Sequence, residues 1–193
     1  MKKFYDTIAD KYDYIFPLSP IKKKFLDEEV KGKKILDVGA GTGKVTKYLS
    51  EKGMDLTSID LNERLIKKAS EKGIKILNEN MLNIDKFSKF DTIINIGNAL
   101  PHLNDKKEIY EFLEKSYKQL NIGGKIIIQI INFVKFTKNK NENNFLGNLP
   151  LIENENVKFE RYYYKNSDNN VIFKTILDDK LENEEILTNV NYF

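Results

Sequence analysis

Three glycines alternate with small residues in Gly39-Ala40-Gly41-Thr42-Gly43, directly after the apolar run Ile35-Leu36-Asp37-Val38, and Asp60 ends the next apolar run. Glycine lets the backbone adopt positive φ and lets a ligand lie against the main chain. A carboxylate at the end of the neighbouring strand can accept both hydrogen bonds of a ribose diol, each worth on the order of 1.5–3 kcal/mol. Together these residues suit a nucleotide-like ligand at the switch point of an open α/β sheet. The spacing is Gly-x-Gly-x-Gly, not the Gly-x-Gly-x-x-Gly of dinucleotide binders, whose third glycine position is Lys44 here. A tight structural turn is the alternative reading of the glycines alone, and Asp60 after the following strand weighs against it. Further on, Asn98 and His102 are the polar candidates for the reacting end. His102 is the single histidine, and an imidazole titrating near pH 6.5 can take a proton from an alcohol or amine. Packing or capping at the start of the next helix is its alternative role.

The elements that must hold these residues alternate. Strands are expected at Lys34–Val38, Asp55–Asp60, Ile74–Leu77, Phe90–Ile96 and Lys125–Ile131, with helices near 44–52, 62–72 and 105–120 between them. Gly53, Gly73 and Asn121-Ile122-Gly123-Gly124 close those helices. Such alternation implies right-handed crossovers, so the fold class is α/β, a doubly wound, mostly parallel sheet. Two N-terminal helices precede it, Phe4–Ile15, ended by Pro17 and Pro20, and Ile21–Val30. From Phe133 the composition changes. Thr137–Asn148 is rich in Asn and Lys, and 157–165, 171–177 and 186–193 read as an antiparallel β appendage, with an acidic linker near 182–185. The expected division is a core at 1–133, with cap helices 4–30, and a loop with β-meander at 134–193 serving as an acceptor-side lid.

Composition narrows the chemistry. A chain of 193 residues with 40% hydrophobic content builds one ordinary core. The absence of cysteine removes disulfides, thiolate metal sites and cysteine nucleophiles. Charges of both signs are interspersed, 32 basic against 29 acidic, which does not single out nucleic acid. Lys22-Lys23-Lys24 reads as a solvated helix face. No apolar run approaches the roughly 20 residues of a spanning helix, and Met1-Lys2-Lys3 leads into no signal-type apolar stretch. The expected location is the cytoplasm, with no membrane contact.

The motif Ile35-Leu36-Asp37-Val38-Gly39-Ala40-Gly41-Thr42-Gly43 resembles, nearly letter for letter, the first motif of class I S-adenosylmethionine-dependent methyltransferases. Ser58-Ile59-Asp60-Leu61 resembles their second. Phe90-Asp91-Thr92-Ile93-Ile94 with Gly97-Asn98-Ala99-Leu100-Pro101-His102-Leu103 resembles the fourth-strand motif, and Leu120-Asn121-Ile122-Gly123-Gly124-Lys125 the turn before the fifth strand. Tyr5-Asp6-Thr7-Ile8-Ala9 and Tyr12-Asp13 are similar to the cap helix of small-molecule members, most like glycine or sarcosine methyltransferases. The resemblance spans about Phe4 to Asn132. It implies S-adenosyl-L-methionine as cofactor, with Gly39, Ala40, Gly41 and Gly43 along its methionine and ribose and Asp37 at the amino end. It also implies Asp60 on the ribose hydroxyls, Leu61 and Met81 at the adenine, and Ile96 and Gly97 beside the switch point. Asn80 stands where the family often has an acidic residue, and its carbonyl can still accept from the exocyclic amine.

Tyr5, Tyr12 and Tyr14 can cover a sulfonium with aromatic faces, Tyr12 being the expected ligand contact, or can pack in the core. Tyr162-Tyr163-Tyr164 beside Arg161 can form an acceptor wall, or simply the two faces of a strand. The implied reaction is in-line methyl transfer to N or O of a small molecule. The Asn/Asp-Pro-Pro-aromatic motif of nucleobase amine methylation is absent, which argues against nucleic acid. A different class of function stays open, a catalytically silent or truncated domain that binds the cofactor as a sensor or partner subunit. It arises because related domains usually add a helix and two more strands after the fifth. Without them Ile126–Ile131 is a sheet edge, to be covered by the appendage or by a second copy in a homo-oligomer.

Overall fold

The computed structural model describes residues 2–132, 144–168 and 170–187. The expected boundary at Phe133, most of the Asn/Lys-rich loop and residues 188–193 of the last expected strand lie outside the described residues. The N-terminal pattern forms two short helices, α1 (Lys2–Ile8) and α2 (Tyr12–Ile15), in place of the single expected one. The chain breaks at 9–11, where Lys11 N–H bonds to Ile8 O. That break lets Phe4, Ile8 and Ile15 share one core cluster while Tyr12 reaches the glycine loop. Helix α3 (Pro20–Glu29) starts from Ser19, whose side chain accepts from Lys22 N–H, with Pro20 in its first turn.

The core then runs β1 (Lys34–Val38), α4 (Lys44–Ser50), β2 (Asp55–Asp60), α5 (Glu63–Ser70), β3 (Leu77–Asn78), β4 (Phe90–Asn95), α6 (Lys106–Gln119) and β5 (Leu120–Ile128). Asn62 and Asp105 cap α5 and α6 by accepting from the backbone three residues on. The five strands are parallel in the order β3-β2-β1-β4-β5. Leu26 and Leu49 pack on one face, and Ile109 and Phe112 on the other. The doubly wound expectation holds, and the order reverses between β1 and β4, beside the glycine loop. Strand β3 falls later than expected because Ile74 N–H still bonds back to Ala69 O and closes α5. Strand β5 pairs at Phe90↔Leu120 and again from Thr92↔Lys125, so the expected turn is a bulge inside the strand.

Asp91 ties this edge together. Its carboxylate accepts from Lys33 N–H (2.8 Å), Lys34 N–H (3.0 Å) and Asn121 Nδ2 (2.7 Å), which holds it below the usual carboxylate range. Gly32 lies against it at φ +72°, and a Cβ there would sit 2.2 Å from Asp91 Cβ. Gly32→Ala is expected to destabilise the fold by about 2–4 kcal/mol, from left-handed strain plus overpacking. Urea unfolding should show this as a lower midpoint at unchanged slope.

The appendage is a four-stranded antiparallel meander, β6 (Phe145–Asn154), β7 (Val157–Lys165), β8 (Val171–Leu177) and β9 (Leu181–Leu187). Two of the three expected strands have the expected bounds. Strand β6 was not expected, because the Asn/Lys-rich stretch up to Asn148 reads as loop; the strand also holds Pro150, which a sheet edge tolerates. The acidic segment 182–185 is strand and not linker, with Glu184 opposite Lys174. This sheet packs on the cap through Val157, Phe159 and Leu177, and around Ile131 through Leu146, Tyr163, Val171 and Leu187. It makes no strand pairing with β5, which remains an edge among the described residues, with Ile122 and Ile128 exposed. Among those residues no helix is long and apolar enough to cross a membrane.

Candidate functional site

The end of β1 and the start of α4 form a loop stitched to β2. Gly39 and Ala40 N–H both donate to Ile59 O (2.9 and 3.0 Å). Gly39, Gly41 and Gly43 all have positive φ, and added Cβ atoms would meet Ala99 Cβ, the Tyr12 hydroxyl and Ile74 Cγ2 at 2.8, 3.0 and 2.6 Å. The loop is therefore as close to its surroundings as side-chain-free backbone allows. Asp60 is fixed beside it, Oδ2 accepting from Gly41 N–H (2.7 Å) and Oδ1 from Asn62 N–H (2.8 Å).

A cavity of about 400 Å³ opens at this switch point, within the range of small-ligand sites. Its walls include Gly39, Asp60, Leu61, Asn80, Met81, Ile96 and Gly97, all expected there, together with Tyr12 and His102. Ala40, Gly41, Gly43, Asp37 and Asn98 do not line it. Asn98, at φ 67°, uses its Oδ1 to accept from Ile131 N–H (3.0 Å). Residues that sequence reasoning passed over include Asn62, Glu79, Ala99, Asn104 and Glu108. Glu108 had a legible signal, since Asp105 and Glu108 stand at capping-box spacing. Its carboxylate reaches back to Asn104 N–H at 2.7 Å.

The lining carries three carboxylates, Asp60, Glu79 and Glu108, and neither lysine nor arginine. Glu79 is paired with Lys86 and accepts from Asn83. Behind the loop, Asp37 is only 2% exposed and accepts from Thr46 at 2.9 Å. Burial, with the Asp60 charge adding to it, pushes the Asp37 carboxyl up to about 7, and burial also raises Asp60. Two buried acids, one of them raised further by the charge of the other, suit a cationic ligand. Asn80, expected at the adenine, also caps the turn 81–86 through Leu82 N–H (2.9 Å), which leaves its carbonyl one lone pair.

The cap is docked electrostatically. Asp6 accepts from Asn62, Asp10 pairs with Arg64 and Lys68, and Asp13 meets Thr42, Lys44 and Lys72. Arg64, Lys68 and Lys72 follow one another at a four-residue spacing, so an acidic cap stripe lies along a basic stripe of α5 and its end. Burial would raise the Asp13 carboxyl, but Lys72, Thr42 and Lys44 hold it below the usual range. Asp13→Ala is expected to cost about 1 kcal/mol after allowance for partial exposure. A thermal melt should show a drop of roughly 2–4 °C that narrows in high salt.

Of the cap tyrosines, Tyr5 and Tyr12 line the cavity and Tyr14 is exposed. The Tyr5 hydroxyl lies 3.1 Å from His102 Nε2. His102 sits in the turn Leu100–His102, and burial pushes its imidazole down to about 4. In the tyrosine triplet, Tyr163 stacks on Phe173, Tyr164 packs on Phe145, and Arg161 donates to Pro150 O, so these residues serve the appendage sheet.

A doubly wound parallel sheet with an acid-lined cleft at a glycine loop is the fold that solved methyltransferases share with this chain. Residues 35–124, just under half of the chain, match the methyltransferase domain family. Over 146 residues it is 31% identical to the glycine/sarcosine N-methyltransferase of Halorhodospira halochloris, covering 68% of this chain and 54% of that enzyme, about half its length. The CcbJ methyltransferase of Streptomyces caelestis superposes with a TM-score of 0.71 at 18% identity, over 93% of this chain and 76% of that one. CalS10 from Micromonospora echinaspora, an amino pentose methyltransferase solved with S-adenosylmethionine bound, gives 0.62 at 16% identity, over 97% and 76%. The two superpositions extend over nearly the whole chain.

Proposed function

We propose that the cleft binds S-adenosylmethionine and that the chain transfers its methyl group to N or O of a small molecule. The observation that carries this is Asp60. Its two oxygens accept from the backbone N–H groups of Gly41 and Asn62, with a further backbone contact from Leu61, and the carboxylate's remaining acceptor capacity serves a ribose diol in the cavity it lines. Bound there, the cofactor supplies a sulfonium methyl for in-line displacement. The chain's own part is alignment and exclusion of water. Gly39 keeps the backbone open to the ligand and Gly41 makes room for the Tyr12 ring over the loop, while Leu61 and Met81 flank the adenine. Asp37 answers the amino end from behind the loop, and Ile96 and Gly97 bound the reacting end. Tyr5 and Tyr12 close the roof, and their rings suit a positive sulfur. His102 stays neutral at physiological pH and holds the Tyr5 hydroxyl at the acceptor end. Asn98 contributes by holding the chain after β5.

The test is calorimetric titration of the purified protein with S-adenosylmethionine and S-adenosylhomocysteine, with NAD as control. A panel of small amines and hydroxyl compounds follows. The acceptors named for the Halorhodospira enzyme place glycine and sarcosine first in it. Micromolar binding of both sulfur ligands, none of NAD, and turnover on one acceptor is the expected result. Binding without turnover across the panel would favour a ligand-sensing domain, and no binding by folded protein would remove the enzyme reading.

A further inference from the structure

We infer that Glu185 is a positioning residue for the acceptor end of the cleft. By accepting the Nδ1 proton of His102 it leaves Nε2 to accept from Tyr5. A lone pair of the Tyr5 oxygen then faces the acceptor. The identity of that acceptor rests on the methyl-transfer reading, whereas the hydrogen-bond chain does not.

Three distant parts of the sequence bring these groups together, Tyr5 from α1, His102 from the turn after β4, and Glu185 from β9. Tyr5 Oη and His102 Nε2 are 3.1 Å apart, and the two rings meet edge to face at 5.8 Å between centroids. On the other side, His102 Nδ1 lies 3.6 Å from Glu185 Oε1, with the two side chains 10% and 9% exposed. Tyr5 and His102 line the cavity, and Glu185 stands behind them. The other ionisable groups felt at Tyr5 are Tyr12, Asp60 and Tyr163, while the N-terminal ammonium acts on Glu185 as a second partner and adds to burial in lowering the His102 imidazole.

Burial keeps the imidazole neutral, so it has one N–H to place. With the proton on Nε2, the bare Nδ1 lone pair would face a carboxylate, and the Tyr5 hydroxyl would have to turn its own proton into the cavity. With the proton on Nδ1, both contacts are attractive. Nδ1 has no hydrogen-bond partner among the described residues, and an approach of on the order of 0.7 Å would bring it within range of Glu185. The partner of one ring nitrogen sets the proton on the other, so the carboxylate selects the tautomer. The consequence is a requirement on the acceptor. It must present an N–H or O–H to the Tyr5 oxygen, as an amine, ammonium or hydroxyl does and a neutral tertiary amine does not.

The chain has one histidine, so a long-range proton–nitrogen NMR spectrum of the intact protein, without cofactor, reports His102 alone. The wild type should show the Nδ1–H tautomer. Glu185→Gln should retain it, because the amide carbonyl still accepts. Glu185→Leu should lower the Nδ1–H to Nε2–H ratio by about tenfold or more. A wild-type spectrum of the Nε2–H form would overturn the inference, as would a Glu185→Leu spectrum identical to wild type. Should Glu185→Leu fail to fold, the wild-type and Glu185→Gln spectra decide. Because no cofactor is present, failure here is separable from failure of S-adenosylmethionine binding.

Discussion

Asp60→Ala is expected to weaken S-adenosylmethionine binding about 10- to 100-fold, a loss of roughly 1.4–2.8 kcal/mol. Two effects add. The substitution removes the acceptors for the ribose diol, and it releases Gly41 N–H and Asn62 N–H, which Asp60 holds at 2.7 and 2.8 Å. Asp60→Asn separates them, since an amide keeps one carbonyl acceptor at nearly the same shape. Its affinity should fall between those of the alanine variant and the wild type. Calorimetry with S-adenosylhomocysteine measures this, with circular dichroism to verify folding. Wild-type affinity in a folded Asp60→Ala protein would show that the ligand sits elsewhere.

Asp37→Asn should alter stability most strongly as a function of pH. The carboxyl is raised to about 7 in the folded chain, chiefly by burial, against about 3.9 when unfolded. Between those values the folded state binds the extra proton, so wild-type stability falls as pH rises from about 4 to 7. The full penalty is on the order of 4 kcal/mol above pH 7. Asparagine cannot ionise and can still accept from Thr46, so the variant should gain on the wild type by up to that amount at pH 8 and show no such gain at pH 4. Urea midpoints at the two pH values check it, and parallel curves would show that Asp37 is not buried as a proton-binding group. A cation brought next to Asp37 lowers its pKa, so binding of S-adenosylmethionine should release protons near pH 7. Titration in buffers of different ionisation enthalpy detects that release.

Much of the parallel sheet was legible because its strands are short β-branched runs ending in glycine or aspartate. Residues 34–38 and 55–60 could be bounded to the residue, and with them the glycine loop and Asp60. The errors share a cause. Local composition reports what a segment prefers alone, whereas β6 and β9 are strands because of what lies beside them. Phe145–Asn148 read as the end of an Asn-rich loop until β7 pairs with them, and Glu182–Glu185 read as a linker until Lys174 stands opposite Glu184. That second error concealed Glu185. Of the cavity's remaining acids, Glu108 stands at a legible capping-box spacing from Asp105, whereas Glu79 lines the cavity with no spacing of its own to mark it.

The roof of the cleft joins segments more than a hundred positions apart in the chain, Phe4, Ile8 and Ile15 against Val157, Phe159 and Leu177. The sheet beneath is built from nearer neighbours. Contacts of such long range form late in folding, because loop closure precedes any gain from them. The same boundary divides the native protein into a firm floor and a roof held by one modest cluster and charge pairs. Partial opening of the roof, with β1, β2 and β4 left intact, would be the easiest excursion from the native state. Slow amide exchange in those strands and faster exchange in α1 and α2 would mark it, and it would let ligand in and product out without unfolding the floor.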